Sequence, residues 1–430
     1  MPQPLEGHPH ILRELIQFVR QNSQFYRELY RDVPEDASAL EHLPVINHTS
    51  FWSSNTSSLA ANNVVTGSLL DGGIFRTGGT TSEPKVSFYS HDELHRVTRQ
   101  LGDCLVRAGL QPGDRVANLY YNGELYMGFL IQVLAWLDSN VPYVQLPISG
   151  VVDVEATVWP LREFRATVAM AMPTTLIRIA EYLVSRGEQL PDVHLLVFSG
   201  EGLYKDQEAL IAQGFPNAVV RPLMYGSVDG GLIAFPTHDA DLERRAEGPV
   251  YVPNAPNVIV EIIRDDGERI TTAGASGLVH VTDLTRRLMP VIRYPTGDVA
   301  EWVDFAQQQF VLRGRDVVGF KIGPASYDFR HLRGIVLDVV GAEKLQGFQA
   351  VARRKDGKDE LVFRIASTVA DRLRAAEALD QAMRIKTTQY ASGLEARYIN
   401  PLAIEWVEVK DLIQNPRTGK LRETVDQRFA

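Results

Sequence analysis

Residues 76–85, RTGGTTSEPK, hold the side chains best suited to chemistry. Gly78 and Gly79 permit a tight turn, and Thr77, Thr80, Thr81 and Ser82 set hydroxyls beside free backbone N–H groups, a composition suited to wrapping phosphate oxygens. It is not a Walker loop, because no Gly-Lys-Ser/Thr follows at the required spacing. A plain surface loop has the same composition. Two more turns, YGSVDGG (residues 225–231) and VIRYPTGD (residues 291–298), present Asp229 and Asp298 beside glycines, and each is also a common turn acid. SGEGLY (residues 199–204) has Gly-x-Gly without the third glycine of a dinucleotide fingerprint, and no Gly-x-Ser-x-Gly elbow accompanies the histidines. His91 and His95 stand at helical spacing with no acidic neighbours beyond Asp92 and Glu93, which reads as helix surface before metal site.

These residues need a scaffold. Residues 11–31 carry Ile11, Leu12, Leu15, Ile16, Val19, Phe25, Tyr26 and Leu29 mostly at three- and four-residue spacings, which predicts one amphipathic helix. From Arg115 the order is VANLYY as strand, a helix over 124–137, VPYVQL and TVAMAM as strands, TTLIRIAEYLVSRG as helix, HLLVFSG as strand, a helix over 206–213, then AVVRPLMYGS. Buried strands alternating with helices predict an α/β sheet with ligands at the strand ends. After Gly248 the short strands NVIVEII, ERIT, LVHVTDL and AEWVDF predict a small β-rich layer beside that core. The run FVLRGRDVVGFKIGP reads as a hinge between a large N-terminal domain, residues 1–313, and a small α+β C-terminal domain, residues 314–430. In the latter, Leu373, Leu379 and Met383 are expected on one face of a helix over 371–385.

Composition narrows the function classes. With 430 residues, 45% apolar and 23% charged, the chain is ordinary globular protein with room for two or three domains. It has 44 basic and 53 acidic side chains, net −9, which argues against a duplex nucleic-acid partner. Residues 351–430 hold 15 basic and 12 acidic side chains, net +3, leaving 29 and 41, net −12, before them; a polyanion-facing surface belongs rather to the last segment. One cysteine, Cys104, makes neither an internal disulfide nor a thiolate cluster, so a cytoplasmic location is expected. The first residues lack a basic segment leading into an apolar core, and the apolar stretch around 125–137 is too short to cross a bilayer, so neither a signal peptide nor a membrane partner is expected.

Six stretches in fixed order, RTGGTTSEPK, SGEGLY, YGSVDGG, VIRYPTGD, GRDVVGFKIG (residues 314–323) and NPRTGK (residues 415–420), resemble the adenylate-forming superfamily of acyl-CoA synthetases, luciferases and peptide-synthetase adenylation domains. VRQNSQFYREL, VPYVQLPISG, LLVFSGEGLYKDQ and above all GLVHVTDLTRRLMPVIRYPTGD are similar to the phenylacetate-CoA ligases within it. The likeness covers the whole chain. It implies that Thr77, Gly78, Gly79, Thr80, Thr81 and Ser82 cradle the β- and γ-phosphates of ATP, with the Thr80 and Thr81 hydroxyls as donors. Ser199, Gly200 and Glu201 would line the adenine slot, and Tyr225, followed by Gly226 and Ser227, would stack on the base. Asp229, where the family usually has Glu, would help hold Mg2+, a hard cation that requires a carboxylate. Asp298 would accept from the ribose hydroxyls, Arg315 would contact ribose or phosphate, and Lys321 would join them in binding the nucleotide. Lys420, on a mobile C-terminal loop, would bridge the attacking carboxylate and the α-phosphate.

The departures matter too. Ser82 and Glu83 precede Pro84 where the family normally has Gly then Lys, and Lys85 falls just past it. The hinge motif is one residue short. With a gap, Asp316 is the hinge and Gly323 faces the pantetheine tunnel, and without one Val317 is the hinge; the gapped reading is preferred because Gly323 then precedes a segment centred on Tyr327. Tyr126, with Tyr120, Tyr121, Phe129 and Trp136, is either core or part of an aromatic acid pocket.

The implied activity is ATP-dependent conversion of a small carboxylic acid, expected to be aromatic, to an acyl-adenylate and pyrophosphate, then transfer to coenzyme A. The alternatives are delivery to a carrier protein or an amine, and a nucleotide-binding homologue without turnover. A homodimer is left open.

Overall fold

The computed structural model describes residues 9–76, 85–149, 153–200, 203, 205–264, 266–315, 321–322, 325–327, 329–355, 358–395, 399–414 and 421–427. Helix α1 (Pro9–Asn22) buries Leu12, Leu15, Ile16 and Val19 along one stripe. The single helix expected over 11–31 is in fact two. Ser23 breaks it by capping α2 (Gln24–Leu29), accepting from the Tyr26 N–H at 3.4 Å while its own hydroxyl donates to Asn63 C=O at 3.0 Å. Helix α3 (His48–Ser54) follows, capped by Asn47.

Strands β1 (Gly73–Arg76) and β2 (Val86–Tyr89) form an antiparallel hairpin with Arg76 opposite Val86, so residues 77–85 span its open end. Helix α4 (His91–Ala108) starts at a Ser90/Glu93 capping box and ends on Gly109 in the left-handed conformation. There follow β3 (Arg115–Asn118), α5 (Gly128–Leu137), β4 (Val144–Pro147), α6 (Val154–Glu163), β5 (Val168–Ala171), α7 (Pro173–Ser185), β6 (Leu195–Phe198), α8 (Lys205–Gly214) and β7 (Val219–Pro222). Helix α5 begins four residues later than expected because Glu124 and Leu125 take positive φ. The five strands are parallel in the order β4-β3-β5-β6-β7. The chain steps outward from β3 to β4 and then back past β3 to β5, which creates a switch point where crevices form at the strand exits.

Strands β8 (Tyr225–Ser227) and β9 (Gly231–Pro236), helix α9 (Ala240–Ala246), and strands β10 (Val250–Pro253), β11 (Val258–Ile263), β12 (Ser276–Asp283), β13 (Tyr294–Asp304) and β14 (Gln309–Arg315) complete this part. The expected small β-rich layer is a seven-stranded antiparallel sheet, order β11-β12-β13-β14-β10-β9-β8. Its extra breadth comes from β8, β9, β10 and β14, and β14 takes up the first part of the run expected to be the hinge. The segment ERIT forms no strand and contributes one bridge, Ile263 with Arg269. Helices α1 to α3 pack on this sheet through Leu15, Tyr26, Phe51, Val260 and Trp302.

After the short hairpin of β15 (Lys321–Ile322) and β16 (Ala325–Ser326), helix α10 (Phe329–Val340), β17 (Leu345–Lys355), β18 (Lys358–Ser367), α11 (Arg372–Lys386), α12 (Thr388–Glu395), β19 (Ile399–Val407) and β20 (Thr424–Asp426) build a smaller α+β unit. Its sheet runs β19-β18-β17-β20. Phe329 stacks on Phe348 at 5.2 Å, and Phe348 meets Phe363 edge-on at 5.1 Å. Leu379 and Met383 enter this core, but Leu373 is 83% exposed and does not share their face. The hydrophobic clusters built from residues up to Leu312 share no member with those built from Ile322 onward. Among the described residues no helix is long and apolar enough to cross a membrane.

Candidate active site

The turn between β8 and β9 carries Asp229, only 7% exposed. Its Oδ2 accepts from the Tyr294 hydroxyl at 2.6 Å. The backbone of the same turn is pinned from below: buried Arg286 donates to the Asp229 carbonyl and, at 3.4 Å, to Phe88 C=O. That guanidinium lies 4.1 Å over the Tyr89 ring, whose hydroxyl donates to Val228 C=O at 2.7 Å. Asp283 holds Arg286 in turn, accepting from the backbone N–H groups of Thr285 and Arg286 at 2.8 and 3.1 Å. Burial by itself would raise the Asp229 pKa, but the Lys85 ammonium and the Ser227 and Tyr294 hydroxyls outweigh it and hold the group below the usual carboxylate range. Asp229 is therefore an ionised carboxylate in a fixed place. Mg2+ suits one or two such carboxylates together with substrate phosphates, and Asp229 fits that requirement.

Lys85 is the cation of this corner. In the chain it falls just beyond the loop. In the fold its Nζ lies 2.6 Å from His48 Nε2 and 5.2 Å from the Trp52 ring centre, and its charge acts on Asp229. Trp52 Nε1 donates to the Tyr294 hydroxyl at 3.0 Å, which closes the set. Arg286 and Tyr294 lie inside the stretch GLVHVTDLTRRLMPVIRYPTGD without being assigned a role there, and no local pattern marks His48 or Trp52.

A second carboxylate stands on β13. Asp298 Oδ2 accepts from the Tyr225 hydroxyl at 2.7 Å, and that hydroxyl also lies 3.2 Å from Thr296 Oγ1. Gly297, at φ +78, makes the bend that presents Asp298. The β13–β14 register sets Asp298 directly opposite Arg315. The structure thus brings three expected residues, Tyr225, Asp298 and Arg315, to one spot. The Tyr225 ring lies 6.0 Å from that of Tyr251, tilted, and 6.1 Å from that of Phe310, edge-on, while its hydroxyl reaches Asp298.

The exits of the parallel strands supply the third edge. Leu223 N–H donates to Phe198 C=O at 2.8 Å, so the segment leading to Tyr225 runs beside the exit of β6. There Ser199 Oγ pairs with the Tyr120 hydroxyl at 2.7 Å, and Gly200 takes φ +84 over Met172. Gly226 has no room for a side chain: an added Cβ would lie 2.4 Å from Gly231 C=O. Tyr126 packs edge-on against Tyr121 at 5.3 Å, with the Arg76 guanidinium 5.6 Å over its ring. Arg76 is also paired with Glu124 at 2.5 Å. Trp136 is exposed, with its indole N–H donating to Tyr143 C=O at 3.1 Å.

Thr77, Gly78, Gly79, Thr80, Thr81, Ser82, Glu83, Glu201, Asp316, Val317, Gly323 and Lys420 lie outside the described residues, and of Arg315 and Lys321 only the backbone is described. The segment carrying Lys420 is bracketed by a bridge between Gln414 and Leu421. Buried Gln349 clamps both flanks, donating to Ile413 C=O and Arg422 C=O at 2.6 Å each and accepting from Ile413 N–H at 2.9 Å. Among the described residues no group of three His, Cys, Asp or Glu side chains forms a metal cluster. His95 pairs with Asp138 at 3.2 Å.

No model of a known protein family matches the chain. It is 24% identical to the indoleacetate–lysine synthetase of Pseudomonas savastanoi over 293 residues, 66% of this chain and 64% of that protein, so less than two thirds of that relative is spanned. It is also 24% identical to the phenylacetate-coenzyme A ligase of Thermus thermophilus over 375 residues, 82% of this chain and 79% of that enzyme. In structure it resembles 2-hydroxyisobutyryl-CoA ligase in the postadenylation state with its acyl-AMP, at TM-score 0.73 and 17% identity over 98% of this chain and 89% of that one. The fold is that of an adenylate-forming enzyme, with a large N-terminal and a smaller C-terminal domain. In sequence the chain is similar to the phenylacetate-coenzyme A ligase named above.

Proposed function

We propose that this protein is an AMP-forming ligase that activates a carboxylic acid with ATP and passes the acyl group to a thiol. The observation that carries the reading is the presence of two fixed carboxylates: Asp229 in the β8–β9 turn beside Lys85, and Asp298 on β13 held by Tyr225 opposite Arg315. In the first half-reaction a carboxylate oxygen attacks the α-phosphorus of ATP, the bond to the bridging oxygen breaks, and pyrophosphate leaves. In the second, a thiol attacks the acyl carbonyl and AMP leaves.

Thr77–Ser82 and Lys85 would hold the triphosphate. Asp298, oriented by Tyr225, would accept from the ribose hydroxyls; Ser199, Gly200 and Glu201 would border the base; Arg315 and Lys321 would face ribose or phosphate. Asp229 would hold Mg2+, which when bound offsets phosphate charge. Lys420 would meet charge developing between the attacking oxygen and the α-phosphorus. The domain boundary is placed at 313/314 with Asp316 as hinge and Gly323 on the thiol path, supported by the separation of the two sets of hydrophobic clusters. Coenzyme A is the proposed thiol, in keeping with the named ligase relatives. An aromatic acid is the proposed substrate, with Tyr126 near its entrance. A cytoplasmic location fits a single buried Cys104, whose thiol burial pushes up to about 12.

A second reading, transfer to an amine, is favoured by the likeness to a protein named as an indoleacetate–lysine synthetase. Pyrophosphate release from ATP, measured against aromatic, aryl-acetic and short aliphatic acids, tests the first step. Product analysis with coenzyme A or lysine then separates the acceptors. Nucleotide binding with no pyrophosphate release for any acid would leave only a nucleotide-binding homologue.

A further inference from the structure

We infer that His48 is a positioning residue for the Lys85 ammonium, holding that cation beside Asp229 where the phosphates of ATP would arrive. The inference rests on the nucleotide-site reading above. A lysine side chain is a point charge on a flexible stem and needs outside contacts to stay in one place. Three segments remote from it in sequence supply them. From α3 come His48 Nε2 at 2.6 Å and the Trp52 ring at 5.2 Å, and from the β8–β9 turn comes the Asp229 charge. β13 backs them with Tyr294, which bonds Trp52 and Asp229 and whose ring lies 6.2 Å from that of His48.

The contact from the imidazole is a directional hydrogen bond to the ammonium. Because an ammonium has no acceptor, His48 must be the acceptor at Nε2 and carry its proton on Nδ1. Burial, and then the neighbouring Lys85 charge, lower its pKa, which keeps the ring in that neutral form. Asn47 fixes where the ring starts, since its side chain caps α3 by accepting from Ser50 N–H at 3.0 Å. A purely structural histidine would be indifferent to what stands at position 85. A positioning one is not.

The test is a double-mutant cycle on the full chain, with calorimetric ATP binding and the KM and kcat of pyrophosphate release as readouts. His48→Ala is expected to weaken ATP binding about tenfold, the loss of one hydrogen bond to a charged group, with the KM for the acid and the melting temperature nearly unchanged. His48→Gln, which keeps a neutral acceptor, is expected to recover most of the affinity. In a Lys85→Met background His48→Ala is expected to change ATP affinity by less than about twofold, because the group it positions is gone. A full tenfold loss in that background, or no loss from His48→Ala where Lys85→Met is impaired, overturns the inference. If the unmodified protein binds no ATP, the functional reading fails and the contact is tested separately by reductive methylation with labelled formaldehyde. The Lys85 methyl resonance should then move in His48→Ala and stay in His48→Gln; an unmoved resonance in both overturns the inference as well.

Discussion

The Asp229 turn and the segment that carries Lys420 are held in opposite ways. Asp229 sits in the interior, with its carboxylate, its carbonyl and the preceding carbonyl each bonded to a side chain from another segment: Tyr294, Arg286 and Tyr89. The Lys420 segment is fixed at its flanks, by the Gln414–Leu421 bridge and the single buried side chain of Gln349. On the proposed function, Asp229 is a charge needed whenever nucleotide is present, and it is built into a core that cannot move without breaking several buried bonds. On the same proposal, Lys420 is needed in one half-reaction, and its described flanks belong to a smaller unit with its own core. The contrast leads us to propose that the two regions divide the work by rigidity as well as by chemistry.

The largest expected effect breaks that comparison at Lys420. Lys420→Ala should slow pyrophosphate release about 10²–10³-fold, as loss of one aimed electrostatic donor does, while thiolysis of a synthetic acyl-adenylate survives. Equal loss of both half-reactions would contradict the division of labour. Next comes Asp298→Ala, which deprives the ribose of a charged acceptor and leaves the Tyr225 hydroxyl without its partner. Calorimetry should show nucleotide affinity weakened by about 1.5–3 kcal/mol per bond lost, and unchanged AMP binding in a folded variant would remove Asp298 from the site.

Gln349→Leu sharpens the comparison from the other side. It strips the partner from two backbone carbonyls flanking the Lys420 segment, so stability should fall by about 1–3 kcal/mol, and adenylation should slow about tenfold with thiolysis retained. Denaturant melts and separate half-reaction assays read both, and a variant with normal adenylation would show that the clamp serves stability alone.

The last effect, absent at neutral pH and developing only in acid, concerns the rigid core itself. Burial lowers the pKa of His280 to about 4, against 6.5 for the exposed group. Its unfolded state therefore binds the extra proton between those values, so the stabilising contribution is complete above pH 6.5 and is lost as pH falls toward 4, by up to about 3 kcal/mol. His280→Gln should flatten part of the acid limb of the stability profile. His238, lowered to about 4 as well, should leave the remainder.

Much of this was legible in the chain. Parallel strands announce themselves as short apolar runs such as VAMA and LLVF, because a strand covered on both faces has no polar side, and both are fully buried. Asp229 and Ser199 stand at strand ends beside glycines, where composition pointed, whereas Asp298, expected in a turn, lies within β13 just after the Gly297 bend. Breaks were harder to see. Ser23 interrupts a clean helical stripe because its hydroxyl serves as a cap, and Glu124 and Leu125 delay a helix through positive φ that no residue type there advertises. Leu373 fits the helical spacing and still faces water, since spacing ranks faces without saying how far the neighbouring layer extends.

By itself the sequence determined the classes of element, the turns that carry the acids and the order of motifs, because periodicity, glycine placement and apolar runs are local properties read within a dozen residues. Tertiary structure decided what those acids are. Trp52 and Tyr294 are 242 residues apart and Tyr294 and Asp229 are 65 apart. Yet Lys85, Ser227 and Tyr294 together outweigh burial and hold the Asp229 carboxyl below the usual carboxylate range. A pKa depends on burial and on charges within a few ångströms, and only the folded chain says which residues those are.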